Sequence, residues 1–208
     1  MSRCAPADGS ALGAMPPPLP IRAAEVAPQA WRNGGGRTRE LFAWPAGPDW
    51  TLRLSLADIE ADGPFSAFPG VQRWFAVIEG AGVVLGLAAG ALRLTPASEP
   101  LCFDGAEAPA CRLIGGPTRD LNLMLRGGVR GCLLRAVDGA PWTEPWPWRA
   151  CFSTGAARWY GDGGQQVDLR AATLLCALGP APCRIVAHDA AAPMFWIGAD
   201  VDLAEAAA

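Results

Sequence analysis

Every apolar run in this chain is short, and glycine or proline interrupts it before a helical period can establish itself, so the chain is built for many brief strands. The segment TLRLSLA sets the pattern. Leu52, Leu54 and Leu56 fall on one face of an extended strand, and Arg53, Ser55 and Ala57 on the other. VQRWFAVIEGAGVVLGL holds two apolar runs split by EGAG, which predicts a hairpin. ALRLTP, CRLIGG, LNLMLR and GCLLRAV predict further strands, and the second half continues with ARWYGDGGQQVDLRAATLLCALG, PCRIVAHD and MFWIGADVDL. Such a series suits a jelly roll, a sandwich or a lipocalin-like barrel, and the alternation alone does not choose among them.

The chain has 208 residues, 51% hydrophobic and 18% charged, enough apolar material for a substantial core. A net charge of -3 with both signs interspersed offers no field for a polyanion, so no nucleic-acid partner is expected. No stretch is long and apolar enough to span a bilayer, and the N-terminus lacks the apolar core of a signal peptide. Seven cysteines without a CxxC pair, several inside apolar runs, read as reduced thiols in a cytoplasmic protein. Residues 1–20, with Pro16, Pro17 and Pro18 in succession, read as a loose tail.

What is missing narrows the chemistry. His188 is the chain's one histidine, so no HxH, HExxH or Cys/His cluster can form; no metal and no cofactor is expected. GxSxG, GxxxxGK[ST] and strand-borne GxGxxG are all absent, which removes the usual marks of hydrolase triads, nucleotide hydrolysis and dinucleotide binding. Asn33 to Gly36, NGGG, either presents backbone N–H groups as an anion nest beside Arg32, Arg37 and Arg39 or makes a sharp turn. Arg39 and Glu40 are neighbours and must face opposite ways on a strand, one of them inward. In RDLNLMLR, Leu121, Leu123 and Leu125 form an apolar face, while Asp120, Asn122 and Met124 meet either solvent or a polar pocket. Phe65 and Phe68 in GPFSAFPG either plug a barrel end or border a ligand.

Three segments, WRNGGGRTRE, LSLADIEADGPFSAFPGVQRWFAVIEGAGVVL and CFDGAEAPACRLIGGPTRDLNLMLR, resemble in order the HutD/Ves family of cupin-fold proteins and cover about residues 28–128. The resemblance implies an all-β bicupin, two double-stranded β-helix (jelly-roll-like) barrels in one chain: residues 21–128 for the first and 129–205 for a smaller second. It also implies a link to histidine utilisation. Position by position the family pattern falls on Trp31, Asn33, Gly34, Gly35, Gly36, Thr38, Arg39 and Glu40, then on Asp62, Gly63, Phe65, Ser66, Phe68, Pro69, Gly70 and Arg73. It ends on Phe103, Gly105, Gly116, Pro117, Asp120, Asn122 and Met124. The chain departs from it at Leu121, where an aromatic residue is common, and at Ala106, where an acid would follow the glycine.

These observations lead to one expected site and two function classes. Asn33, Thr38, Arg39, Glu40, Arg73 and Asn122 are the expected ligand-binding residues, with Arg39 and Arg73 converging on a small acidic metabolite in the first barrel. Trp31, Gly34, Gly35, Gly36, Phe65, Phe68 and Asp120 are expected to shape the frame. One class is a metal-independent binding or regulatory protein; the other is a metal-independent isomerase or lyase with Glu40 or His188 as base. Nine tryptophans, three of them Trp142, Trp146 and Trp148 in one proline-rich segment, further suggest an exposed apolar patch and a homodimer or another protein partner.

Overall fold

The computed structural model describes residues 18–203, and the described residues hold eighteen strands and three short 3-10 turns. The order begins β1 (Leu19–Arg22), β2 (Gln29–Ala30), β3 (Gly36–Trp44), β4 (Leu52–Ile59), β5 (Gly63–Pro64) and β6 (Val71–Glu79). It continues with β7 (Val83–Leu87), β8 (Gly90–Leu94), β9 (Leu101–Asp104), β10 (Ala110–Leu113), β11 (Thr118–Arg126) and β12 (Gly131–Arg135). The last six are β13 (Trp148–Ser153), β14 (Ala157–Tyr160), β15 (Gln166–Leu169), β16 (Thr173–Cys176), β17 (Arg184–Ala187) and β18 (Met194–Ala199). The named pairings between these strands are antiparallel, as glycine-punctuated short runs require.

Each half is a pair of facing sheets, not a fully closed barrel. The first half sets the sheet β2-β3-β4-β11-β6-β9 against β5-β10-β7-β8. The second sets β1-β16-β13-β18-β12 against β15-β14-β17. Ile59, Phe75, Val77, Val83, Leu85 and Cys111 fill one end of the first half. The halves meet through their larger sheets. Leu52, Leu54 and Leu56 of β4 and Leu121, Leu123 and Leu125 of β11 pack in one core with Ala150 and Phe152 of β13, Leu174 of β16, and Phe195 and Ile197 of β18. Each fully buried leucine there stabilises the contact by roughly 1.5 to 3 kcal/mol. The period-2 leucine rows therefore join the halves, and the polar residues between them are turned into the first half's interior.

Leu19–Arg22 departs from the expected boundary. It was read as the junction between a loose tail and the first barrel, but β1 pairs antiparallel with β16, from Leu19 beside Cys176 to Arg22 beside Thr173. The reason is local: LPIR is extended, and its proline sits on an edge strand, where a missing N–H costs least. The rest of the expected tail, residues 1–17, lies outside the described residues.

The second half's interior is occupied by side chains. Trp142 and Trp196 stack with ring centroids 4.9 Å apart, among Cys151, Trp159, Leu175, Cys183, Ile185 and Met194. Arg149 of β13 is fully enclosed beside them, its guanidinium 4.4 Å from the Trp142 ring centroid. Its Nη1 donates to the carbonyls of Gly179 and, at 2.7 Å, Ala181, and its Nη2 donates to the Trp142 carbonyl at 3.0 Å. Trp142 and Trp148 are buried, and Trp146 covers Gly198 so closely that a Cβ there would fall 2.2 Å from the indole. The tryptophan patch from which a homodimer was expected is thus folded inward, because the proline-rich segment lays its rings across the second half's sheets.

Six described cysteines are free thiols, and Cys102 alone of these is exposed. Among the described residues, no helix is long and apolar enough to cross a membrane.

Candidate functional site

Antiparallel register places three rows of side chains across the inner face of the first half's large sheet. One row runs Thr38, Ala57, Asp120, Val77; the next Glu40, Ser55, Asn122, Phe75; the third Arg53, Met124, Arg73, Phe103. Eight residues of these rows border a cavity of about 670 Å3: Thr38, Arg53, Ser55, Ala57, Arg73, Asp120, Asn122 and Met124. Trp31, Arg32 and Asn33, and Phe65, Ser66 and Phe68, also line it.

Arg73 is the chemical centre. It is 5% exposed, and its guanidinium carbon lies 5.1 Å from the Phe65 and Phe103 ring centroids and 5.7 Å from that of Phe68. Three aromatic faces around one cation offset part of its desolvation. Nη2 donates to Asn122 Oδ1 at 3.0 Å, and Asn122 Nδ2 in turn donates to Asp120 Oδ1. Arg73 Nε and Nη1 and Asp120 Oδ2 are buried without a partner. Burial pulls Arg73 down to about 10 despite the favourable field of Asp120, with Arg53 pushing the same way as burial. Burial pushes the Asp120 carboxyl up to about 8, against the opposing effects of Arg73 and the Asn122 hydrogen bond. The cavity therefore presents a guanidinium cation beside a carboxyl that burial drives toward its neutral form.

Arg39, expected to converge with Arg73, lies on the opposite face of β3. Thr38 and Glu40 take the inward positions, so strand alternation turns Arg39 outward, where Nη1 donates to Asp58 Oδ2 at 2.7 Å. Asp58 also accepts from Arg119 Nε at 2.6 Å. Burial by itself would raise the Asp58 carboxyl, but the hydrogen bonds from Arg119 and Arg39 hold it below the usual range. Glu40 lies on the inner side, and its carboxylate is taken by Arg53 Nε at 2.7 Å, so it is not a free base. His188 is exposed at the end of β17 and does not border the cavity.

Thr38 and Asn33 do border it, and each already has a structural bond. Thr38 Oγ1 accepts from Trp31 Nε1 at 2.7 Å, and Asn33 Oδ1 accepts from the Gly35 N–H at 3.0 Å. The NGGG segment is a turn and not an anion nest: Gly34 N–H is used by the Trp31 carbonyl, and the Gly35 carbonyl accepts from Glu60 and Ala61. Gly36 is needed because a Cβ would sit 2.3 Å from the Asp58 carbonyl oxygen and 3.2 Å from the Trp31 ring. Gly36→Ala is expected to cost about 2 kcal/mol. Gly34→Ala meets open space and only the strain of its φ of +70°, and is expected to cost about 1 kcal/mol. Urea midpoints of the two variants test that order.

Phe65 and Phe68 serve both readings at once, packing and cavity wall. The loop that carries them is pinned by Phe65 N–H to the Pro109 carbonyl at 3.0 Å and by Phe68 N–H to the Gly105 carbonyl at 2.8 Å. Arg53 and Ser55 are among the lining residues outside the expected site, although TLRLSLA places them on the polar face opposite the leucines. Among the described residues, no three His, Cys, Asp or Glu side chains gather as a metal-ligand set.

The HutD family profile matches residues 23–192. The chain belongs to the HutD family. This HutD-family chain is 35% identical over 129 residues to an uncharacterized 21.2 kDa protein in the hutC 3' region of Pseudomonas putida, covering 57% of this chain and 64% of that one. It is 38% identical over 110 residues to protein Ves of Citrobacter koseri, covering 52% and 58%. The chain thus spans less than two thirds of the length of these curated relatives. The solved HutD structure from Pseudomonas fluorescens superposes with a TM-score of 0.74 at 30% identity over 88% of this chain and 97% of that one. Oxalate decarboxylase from Lactobacillus farciminis superposes at 0.56 over 92% of this chain and 87% of its own, at 10% identity, a likeness of fold alone. The architecture is all-β with the cupin fold in both halves.

Proposed function

We propose that this chain is a metal-independent binding protein that takes a small carboxylate metabolite in the first-half cavity and reports on it, with Arg73 as the anion receptor. The observation that carries the reading is Arg73 itself, enclosed by three phenylalanines with Nε and Nη1 unpartnered in a cavity of about 670 Å3. Burying guanidinium N–H groups without acceptors is costly, and a bound carboxylate supplies the acceptors. The cavity's phenylalanines and Met124 accommodate an apolar body behind the acid. The gene region named for the Pseudomonas putida relative supports acids from histidine breakdown as the compounds to try first.

The test is a thermal-shift and calorimetric screen of histidine, urocanate, formylglutamate and glutamate. One member is expected to raise the melting temperature of the parent and of Arg39→Ala, whose side chain lies outside the cavity, and to leave folded Arg73→Gln unmoved. Ligand at a hundred times its dissociation constant stabilises by about 2.7 kcal/mol, which such a scan resolves. Equal binding by Arg73→Gln would remove the reading. The isomerase or lyase alternative has lost Glu40 to Arg53, and His188 does not border the cavity, so Asp120 is the carboxyl left to it; turnover of the bound acid would select that alternative.

A further inference from the structure

Asp120 is a carboxyl with one oxygen used and the other waiting. It is 1% exposed, Oδ1 accepts from Asn122 Nδ2, and Oδ2 is enclosed with no hydrogen-bond partner. Asn122 cannot turn to relieve it: its Oδ1 is held by Arg73, so its amide NH2 must face Asp120. The cation and the acid are thereby held one amide apart, and the direct ion pair that would ionise Asp120 is not made. A carboxylate arriving at Arg73 enters next to Asp120 Oδ2. Two charged carboxylates in one enclosed site repel strongly, whereas an acid and a carboxylate share a short hydrogen bond.

Resting on the carboxylate reading above, we infer that Asp120 is held as the neutral acid and donates its Oδ2 proton to the ligand's carboxylate, so the cavity selects a monoanion and releases it under alkaline conditions. The charged or titratable groups around Asp120 agree with this. Arg73 faces it from β6; Asp58, on β4, repels a negative charge at this position; Cys111, on β10, has its thiol raised by burial and by Asp120; and Thr38 of β3 and Ser55 of β4 are uncharged. Arg53 is the remaining cation on this face, and Glu40 neutralises it. Burial raises the Asp120 acid to about 8, which places the release within a measurable range.

The experiment is isothermal titration of the full chain with formate, acetate and urocanate between pH 7 and 10. Above about 8, affinity should fall toward tenfold per pH unit, with one proton taken up on binding, read from buffers of different ionisation enthalpy. Asp120→Asn keeps an N–H donor at the same place, so it should bind within a few-fold of the parent at pH 7 and lose the pH dependence. Parent affinity that is flat across the range, or loss of binding in a folded Asp120→Asn, overturns the inference while leaving carboxylate binding in place. Binding by none of the three acids, or unchanged binding in Arg73→Gln, overturns the carboxylate reading and the inference with it.

Discussion

Arg149→Met is expected to be among the most destabilising single substitutions in the chain, with a loss of about 3 kcal/mol and a fall in melting temperature of roughly 6 to 12 °C. Methionine fills much of the same volume beside Trp142, so the cost does not come from a cavity. It comes from the carbonyls of Gly179 and Ala181, which arginine satisfies together while tying them to the Trp142 carbonyl, itself also bonded by the Cys183 N–H. Removing a buried cation returns some desolvation free energy, since burial already lowers the Arg149 guanidinium. Against that stand the two loop carbonyls, Gly179 and Ala181, each costing about 1 to 3 kcal/mol if left unpaired, together with the lost tie to the Trp142 carbonyl, and the clamp outweighs the relief. Arg149→Lys should fall between, because one ammonium cannot reach all three oxygens in a plane. A melting temperature for Arg149→Met within a degree of the parent would show that the 177–182 loop holds without the clamp.

The second large effect is a dependence of stability on pH that runs opposite to the usual behaviour of a paired carboxylate. In the unfolded chain Asp120 releases its proton near pH 4, whereas the buried acid releases it at about 8. Between those values the native state holds the extra proton, so the stability owed to this group is greatest below pH 4 and declines as pH rises to 8. The decline amounts to a few kcal/mol, on the order of 1.4 kcal/mol for each unit of separation, and flattens above 8. Asp58 and Asp168, both lowered, act in the opposite sense and lose their contribution as pH falls. The informative quantity is therefore the difference between parent and Asp120→Asn. The variant should gain on the parent steadily from pH 5 to pH 8 in urea denaturation; parallel curves would place Asp120 ionised in the native state.

Period-2 alternation made the first half legible. The leucine rows of β4 and β11 were identified as core faces, and they form the contact between the halves. For Asp120, Asn122 and Met124 the sequence does not choose between solvent and pocket, because alternation says which side chains share a face but not what that face meets. The same limit governed Arg39 and Glu40: without the register of β3 against β4, neither could be given the inward position. Arg53 belongs to no motif string, and TLRLSLA places it only on a polar face opposite the leucines. The second half's content was the least legible. Arg149 sits in a segment read as aromatic and broken, and its partners are backbone carbonyls, which carry no residue signature.

The pairing of β1 with β16 also bears on how the chain is made. A ribosome releases Leu19–Arg22 well before the strand it must lie against, Thr173–Cys176, which follows more than a hundred residues later. The first half can assemble meanwhile, since its β2 to β11 partners are all within one contiguous stretch. Leu19–Arg22 can take its place at the sheet edge only once β16 has followed. Separating the chain at residue 128 would consequently not yield two intact pieces: the C-terminal fragment would lack an edge strand that lies more than a hundred residues upstream of the cut.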